Sequence, residues 1–276
     1  MLSKLLKYEY RATAIYFLPI YAMLVLVSGF SYAVRLIGHN VNKSGNYPFA
    51  KLVDTLITTF GSLYVLLAIA LAITTFIVII MRFYKNLLGN EGYLMFTLPV
   101  SVEENILAKL IPAITWFFGS CLLGVLTVAP TFWGGYRDFF NTFFYEYSVK
   151  DFFLDLLLIV FFIACLGLGF LFYYLCMCIG QLFNSHKFIA SAAVYIGLQG
   201  VLQVLAIVGV VLLISFGRDF FLFDAIVDFI GNMETHLDGY QMAYIFFGIL
   251  DVFVLLCAAG LFWIDCRILK KKLNLT

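Results

Sequence analysis

The chain has 276 residues, of which 64% are hydrophobic and only 12% are charged. Soluble domains are about 45–50% apolar and about 25% charged, and a chain of this length has too little interior to hide so much apolar surface, so a water-soluble enzyme is excluded. Only 5 prolines and 18% aromatic residues exclude collagen-like and disordered chains, and the net charge of +1 gives no long-range attraction for nucleic acid.

Six long apolar segments follow one another along the chain. Each is about as long as the 20 residues that a helix needs to cross a bilayer, and none alternates as a membrane β-strand would. The last segment is interrupted by a single charge, Asp251. The sequence therefore predicts an all-α integral membrane protein, one transmembrane domain over residues 1–276 with six transmembrane helices. The predicted spans are 12–34, 55–81, 105–130, 154–183, 188–216 and 241–265.

The segment before the first span mixes charged and apolar residues. Lys4, Lys7 and Arg11 interleave with leucines and tyrosines, which is typical of an amphipathic helix on a membrane surface; a plain charged flank is the alternative.

The distribution of positive charge predicts the orientation of the chain in the membrane. With the N-terminus in the cytoplasm, 11 of the 17 Lys and Arg residues lie on the inner side, Arg82 and Lys109 among them. Both termini are therefore predicted to be cytoplasmic.

The loop between spans two and three, residues 82–104, is cytoplasmic in this topology. It carries a cluster of apolar residues that a solvated loop lacks, and such patches mark a protein or membrane contact. The pattern predicts a protein-docking element, with a membrane-lying connector as the alternative. Ser101 and Glu104 fit a capping box, which predicts that the third helix begins there, before the lipid. The apolar cluster consists of Tyr93, Leu94, Met95, Phe96 and Leu98.

Two segments are predicted to lie on the outer side. The loop 131–151 is rich in aromatic residues, which indicates an interfacial anchor or a docking surface for an amphipathic substrate. Further along, Phe220, Phe223 and Val227 recur at helical spacing within residues 218–231. This spacing predicts a short external helix before the last span.

Small residues four positions apart let membrane helices approach closely. Ala68 with Ala72 and Ala193 with Gly197 have this spacing. They predict packing seams on spans two and five.

Ionisable residues at lipid depth are costly and usually functional. Asp251 lies about nine residues into the last span, roughly 13 Å below the outer surface at 1.5 Å per residue. Gln199 and Gln203, four residues apart on span five, offer hydrogen-bonding partners. Two interpretations stay open: a hydrogen-bonded contact between spans five and six, or a polar stripe that lines a translocation path.

Sequence motifs for chemistry by the chain itself are missing. There is no Gly-x-x-x-x-Gly-Lys phosphate loop and no His-Glu-x-x-His zinc motif. The six cysteines lie within or at the ends of spans and indicate no disulfide framework, and Cys176 and Cys178 lack a second pair or a nearby His. We therefore expect a protein that is not an enzyme and binds no metal or cofactor.

Residues 82–101 resemble the corresponding loop of permease subunits of bacterial ABC transporters in the type-2 exporter superfamily. The phrase that carries the resemblance is EGYLMFTLPVS, residues 91–101. Supporting features are the amphipathic N-terminal segment, the short link between spans four and five, the helical insertion before span six and the basic tail. The resemblance covers the whole chain in topology but about 20 residues in motif.

This resemblance implies ATP-driven export across the bacterial cytoplasmic membrane by a multi-pass subunit. Two copies of a separate ABC ATPase would bind ATP and Mg, and would dock on a coupling helix in the 82–104 loop. A second permease chain, identical or similar, would complete the transporter within membrane lipid, with no nucleic acid involved. The residues that would contact the ATPase are Glu91, Gly92, Tyr93, Leu94, Met95 and Phe96.

Two other functions stay open on the residues alone. An ion- or proton-coupled secondary carrier would use Asp251, although the two halves of the sequence show no repeat of the kind that such carriers have. A membrane scaffold or sensor subunit without transport activity is compatible with the scarcity of polar residues in the spans.

Overall fold

The computed structural model is helical throughout the part of the chain that it describes, apart from short connections. The helices are α1 (Leu2–Ser44), α2 (Tyr47–Phe83) with a π-helical extension (Tyr84–Leu88), α3 (Val102–Phe132), α4 (Val149–Gly180), α5 (Lys187–Phe216) and α6 (Gly239–Lys271). The described residues are 2–44, 47–89, 100–132, 140–141, 148–183, 187–216 and 238–271.

All six helices are long and apolar enough to cross a membrane, which confirms the prediction of an all-helical chain with six candidate spans. Most of them extend beyond the predicted spans, because the flanking residues continue the same helix. In particular, the segment predicted to lie on the membrane surface is the first part of α1, which runs without a break from Leu2. The predicted external helix at 218–231 lies outside the described residues.

The start of α3 confirms the predicted capping box. The Glu104 amide donates to Ser101 Oγ (3.2 Å), and the Ser101 amide donates to Glu104 Oε2 (3.4 Å). The reciprocal bonds satisfy two amides that the first helical turn leaves without intrahelical partners. Helix α4 begins in the same way at Ser148, with Asp151 as the returning carboxylate. Both helices therefore start at a capping box, and the sequence predicted the one at Ser101.

The chain divides into two compact units, and the first contains α1, α2 and α3. Helices α1 and α3 run in the same direction: Glu9 contacts Lys109 near their starts, and Ser31 contacts Thr131 more than five turns further on. Helix α2 runs the opposite way, since Arg82 near its end reaches Glu9 near the start of α1.

Polar side chains join α1 to α3 along their length. The indole of Trp116 donates to Thr13 Oγ1 (2.8 Å), and Ser28 Oγ donates to the Thr127 carbonyl (2.8 Å). Between these bonds Phe17, fully buried, stacks on Trp116 with ring centroids 4.6 Å apart. Helices in lipid associate through such packing and hydrogen bonds, because lipid tails are as apolar as the side chains. The seam therefore fixes how α1 and α3 face each other.

The second unit contains α4, α5 and α6, with α4 packed against both of the others. Helix α6 runs parallel to α4, because Tyr240 at its start donates to Asp151 at the start of α4 (2.7 Å). Helix α5 runs antiparallel to α4, and the rings of Tyr173 and Tyr195 stack between them with centroids 4.9 Å apart.

The starts of α4 and α6 are fastened together by several bonds. Besides the Tyr240–Asp151 bond, Tyr244 donates to the Lys150 carbonyl (2.5 Å), and Lys150 Nζ lies 3.6 Å from Asp238 Oδ2. The Lys150 ammonium also lies over the Tyr240 ring, 5.6 Å from its centroid. These bonds set the register of the two helices.

Among the described glycines, the tightest contact with another helix lies away from the two predicted seams. Ala68 and Ala72 border a cavity of about 150 Å³ in the first unit. A Cβ on Gly197 would have no neighbouring atom within 4 Å, so Gly197 itself makes no close helix contact in the described chain. The tight contact lies instead at Gly180, where a Cβ would lie 2.6 Å from the backbone of Ser191. The short link between α4 and α5 brings these two positions together.

Candidate functional site

A cleft of about 520 Å³ lies between α4 and α6 in the second unit. It follows the two helices for about two turns, below the bonds that fasten their starts. Its described walls are apolar except at Tyr244 and Asp251. The described residues that line it are Phe153, Leu156, Leu157, Val160, Tyr244 and Asp251.

Asp251 is the charged residue of this cleft. The residue is 8% exposed, and its Oδ1 atom has no hydrogen-bond partner among the described residues. Cys165 of α4 is close enough to interact electrostatically with the carboxylate. Asp251 therefore faces α4 from α6, and no described residue bonds to its buried Oδ1 atom.

The two glutamines predicted beside Asp251 lie on α5. Gln199 is half-buried, Gln203 is exposed, and α5 packs mainly on α4. Within the described part of the chain, neither glutamine forms a hydrogen bond with Asp251. The interpretation as a hydrogen-bonded contact between spans five and six therefore finds no support, and the translocation path stays a prediction.

The predicted ATPase-coupling residues, 91–96, lie outside the described residues. The structure does describe both ends of their loop: the π-helical end of α2 before it, and the capped start of α3 after it. These two ends meet at a cluster of charged and polar side chains.

This cluster is centred on Glu9 of α1, a buried residue. Its carboxylate forms an ion pair with Lys109 of α3 and accepts a hydrogen bond from Asn86 Nδ2 (3.5 Å). Arg82 Nε lies 4.0 Å from the other carboxylate oxygen. Residues from α1, the end of α2 and α3 thus converge on one side chain. We call Glu9, Arg82, Asn86 and Lys109 the loop-base cluster.

Buried apolar residues lie beside the loop-base cluster along the chain. Phe83 and Leu87 adjoin Arg82 and Asn86, Ile106 lies about one turn before Lys109, and all three are fully buried. Lys109 is only 4% exposed, whereas the Arg82 side chain is 26% exposed. Removing one partner of a buried ion pair costs about 3–5 kcal/mol, because a desolvated charge loses its compensation. Residues of three helix ends therefore depend on one another for charge compensation.

Comparison with known proteins adds no relative: no family model, curated protein or solved structure matches this chain. The cleft and the loop-base cluster are therefore interpreted from their own geometry. The resemblance to ABC permeases still rests on the phrase at residues 91–101 and remains a proposal.

Sequence reasoning missed the loop-base cluster because it treated Arg82 and Lys109 as flanking charges. A signal was present. Lys109 lies two turns inside α3 among apolar residues, so it needs a carboxylate partner. Glu9 is the only acidic residue before Asp54. If the carboxylate partner of Lys109 comes from α1, it must therefore be Glu9.

A second buried carboxylate lies in the other unit. Asp265 of α6 is fully buried, and neither of its side-chain oxygens has a hydrogen-bond partner among the described residues. Cys176 and Cys178 of α4 are close enough to interact electrostatically with it. No group of His, Cys, Asp or Glu in the described chain has the arrangement of a metal site. The carboxyl group is therefore an energetic cost to the fold.

We expect Asp265→Val to raise the thermal unfolding temperature of the purified protein. Burying a polar group without a hydrogen bond costs about 1–3 kcal/mol, and an apolar side chain removes that cost. The control is Asp238→Val, which changes an exposed carboxylate and should give no gain. A lower unfolding temperature for Asp265→Val would show that the carboxyl group has a stabilising partner.

Proposed function

We propose that this chain is the membrane-spanning subunit of an ATP-driven exporter, moved by a separate ATPase through the loop 82–104. The observation that carries the proposal is the loop-base cluster. Glu9 joins the helix that enters this loop to the helix that leaves it, and both to the start of α1.

A loop that transmits force must be joined stiffly to the helices it moves. Arg82 and Asn86 lie in the helical first part of segment 82–104, Lys109 follows the segment, and the Ser101 cap orders the start of α3. Because separating the buried charges is costly, a push on the loop would move the ends of α1, α2 and α3 together.

The cluster also supports the proposed topology. It gathers the start of α1, the end of α2 and the start of α3 at one end of the first unit, as alternating spans require. The excess of Lys and Arg on that side favours the cytoplasm. In the proposed arrangement both termini are cytoplasmic, residues 2–11 lie near the inner surface, and the protein resides in a bacterial cytoplasmic membrane.

The proposed transporter needs further subunits. Two ATPase copies supply ATP and Mg binding, since the sequence of this chain has no phosphate loop. Apolar side chains of α5 are exposed over most of its length, from Ile196 to Leu212. Such a surface suits contact with lipid and with a second permease chain.

We expect the Tyr93→Ala/Phe96→Ala double variant to lose at least tenfold of the ATPase activity that co-purifies with the wild-type chain. These two aromatic residues would fill the groove of the ATPase, and buried aromatic anchors dominate interface energies. The measurement is ATP hydrolysis by protein purified from its native membrane in mild detergent.

Tyr8→Ala is the matched control, because Tyr8 is an exposed aromatic residue on the same proposed side of the membrane. It should retain the ATPase. If the wild-type chain brings down no ATPase, the proposal fails. If transport persists without ATP and is lost in Asp251→Asn, the ion-coupled carrier replaces it.

A further inference from the structure

We infer that the cleft between α4 and α6 binds a lipophilic organic cation, with Asp251 as its counter-ion. The inference names the class of molecule that the proposed transporter would carry, and to that extent it rests on the proposed function. Binding itself needs no ATPase, so it is measurable on the chain alone.

The size and lining of the cleft suit a small apolar molecule. Its volume of about 520 Å³ lies within the range of about 300–1,000 Å³ of small-molecule sites. Phe153, Leu157 and Val160 form apolar walls. The hydroxyl of Tyr244 is already bonded to the Lys150 carbonyl. Among the described lining residues, Asp251 therefore provides the charged group that a ligand would meet.

The state of Asp251 sets the charge of the ligand. Its residue is more than nine-tenths buried, it lines the cleft, and its Oδ1 atom has no hydrogen-bond partner in the described chain. A buried carboxylate without compensation is costly, and a bound cation removes that cost while gaining a strong charge-assisted contact. An anion would be repelled, and a neutral apolar molecule would leave the cost in place.

The charges near the cleft point to the same sign. The described parts of α4 and α6 along the cleft carry Asp151, Asp155 and Asp238 besides Asp251, against one base, Lys150. Lys150 is held by Asp238 and lies over the Tyr240 ring, so it is engaged at the starts of the helices. An excess of negative charge at a low-dielectric cleft raises the local concentration of cations.

A bare metal ion is a poor occupant. Hard divalent cations take six or more oxygen ligands, whereas the described lining offers one carboxylate among hydrocarbon walls. A delocalised positive charge surrounded by apolar groups matches both features. The occupant is therefore an organic cation whose remaining surface is apolar.

The test uses the purified full-length chain in detergent and two probes of equal size and shape, tetraphenylphosphonium (cation) and tetraphenylborate (anion). We expect saturable binding of the cation by equilibrium dialysis with radiolabelled probe, and at least tenfold weaker binding of the anion after correction for partition into detergent. We also expect the cation to raise the unfolding temperature of the wild-type chain.

Variants locate the bound cation. Asp251→Asn should weaken cation binding at least tenfold, whereas Asp54→Asn, which changes an exposed carboxylate of α2, should change it less than threefold. Leu157→Trp keeps the charge but fills the cleft, and should also weaken binding at least tenfold. Asp251→Glu keeps the charge and should retain binding even if Asp251→Asn folds poorly.

Three results would overturn the inference: no saturable binding of the cation, equal binding of cation and anion, or wild-type affinity in Asp251→Asn and Leu157→Trp. None of these depends on ATP. A chain that binds the cation but co-purifies with no ATPase would contradict the proposed function and support the cation site. A chain that co-purifies with the ATPase but does not bind the cation would support the proposed function and contradict the cation site.

Discussion

We expect Glu9→Gln to lower the free energy of unfolding by about 3–5 kcal/mol. Glutamine keeps the shape of the side chain but removes the charge that compensates the buried ammonium of Lys109 and the nearby guanidinium of Arg82. The free-energy cost of removing these charges from water is offset only while the carboxylate neutralises them. The measurement is unfolding of the purified chain in detergent, followed by circular dichroism against temperature or denaturant.

A double-variant cycle separates the ion pair from a general effect of mutation. Glu9→Gln combined with Lys109→Met should regain most of the lost stability, because it removes both charges from the interior. The control, Lys7→Met, changes an exposed residue two positions from Glu9 and should stay within about 0.5 kcal/mol of the wild type. If Glu9→Gln is as stable as Lys7→Met, the cluster does not hold the helix ends together, and the mechanical argument for the loop 82–104 loses its support.

We expect Gly180→Ala to destabilise the second unit strongly, by about 3 kcal/mol or more. The added Cβ would lie 2.6 Å from both the Cα and the N atom of Ser191. Backbone atoms cannot rotate away as a side chain can, so α4 and α5 must separate along their contact. Overpacking that forces such shifts typically costs about 1–3 kcal/mol, and this contact is at the severe end.

Two variants check this interpretation by thermal unfolding in detergent. Gly200→Ala, where a Cβ meets no atom within 4 Å, should be neutral or stabilising, because alanine favours a helix over glycine. Ser191→Ala should not rescue Gly180→Ala, since the clash with the Ser191 backbone remains. Rescue by Ser191→Ala would show that only the hydroxyl obstructs, and near-normal stability of Gly180→Ala would show that α4 and α5 are less closely packed there.

Local features of the fold were predictable because each depends on nearby residues. A bilayer requires backbone groups to bond internally, so six apolar segments of sufficient length predict six helices. The boundary of α3 was predictable because Ser101 and Glu104 lie within one turn of each other. The start of α1 was less predictable from local residues, and the structure shows that its charged first residues belong to one continuous helix.

Contacts between helices could not be predicted in the same way. Thr13 and Ser28 lie in an uncharged segment, and the sequence does not indicate their partners on α3. A hydroxyl in a membrane helix can bond to the backbone of the same helix as well as to another helix. Thr13 in fact does both, donating to the Glu9 carbonyl (2.7 Å) while accepting from Trp116. For the same reason the sequence left two interpretations of Asp251 open, and the structure places its carboxylate in a cleft with α4.

The amino-acid sequence by itself determined that this chain consists of six membrane-length helices, where α3 is capped, and that a charge lies within the last helix. Only the tertiary structure decided that Glu9 meets Lys109, 100 residues away, and that Asp251 lines a cleft with α4. The physical reason is that these helices are apolar on nearly all sides. Hydrophobic patterning therefore places them in the membrane but does not set their rotation, which close packing and a few buried polar contacts decide.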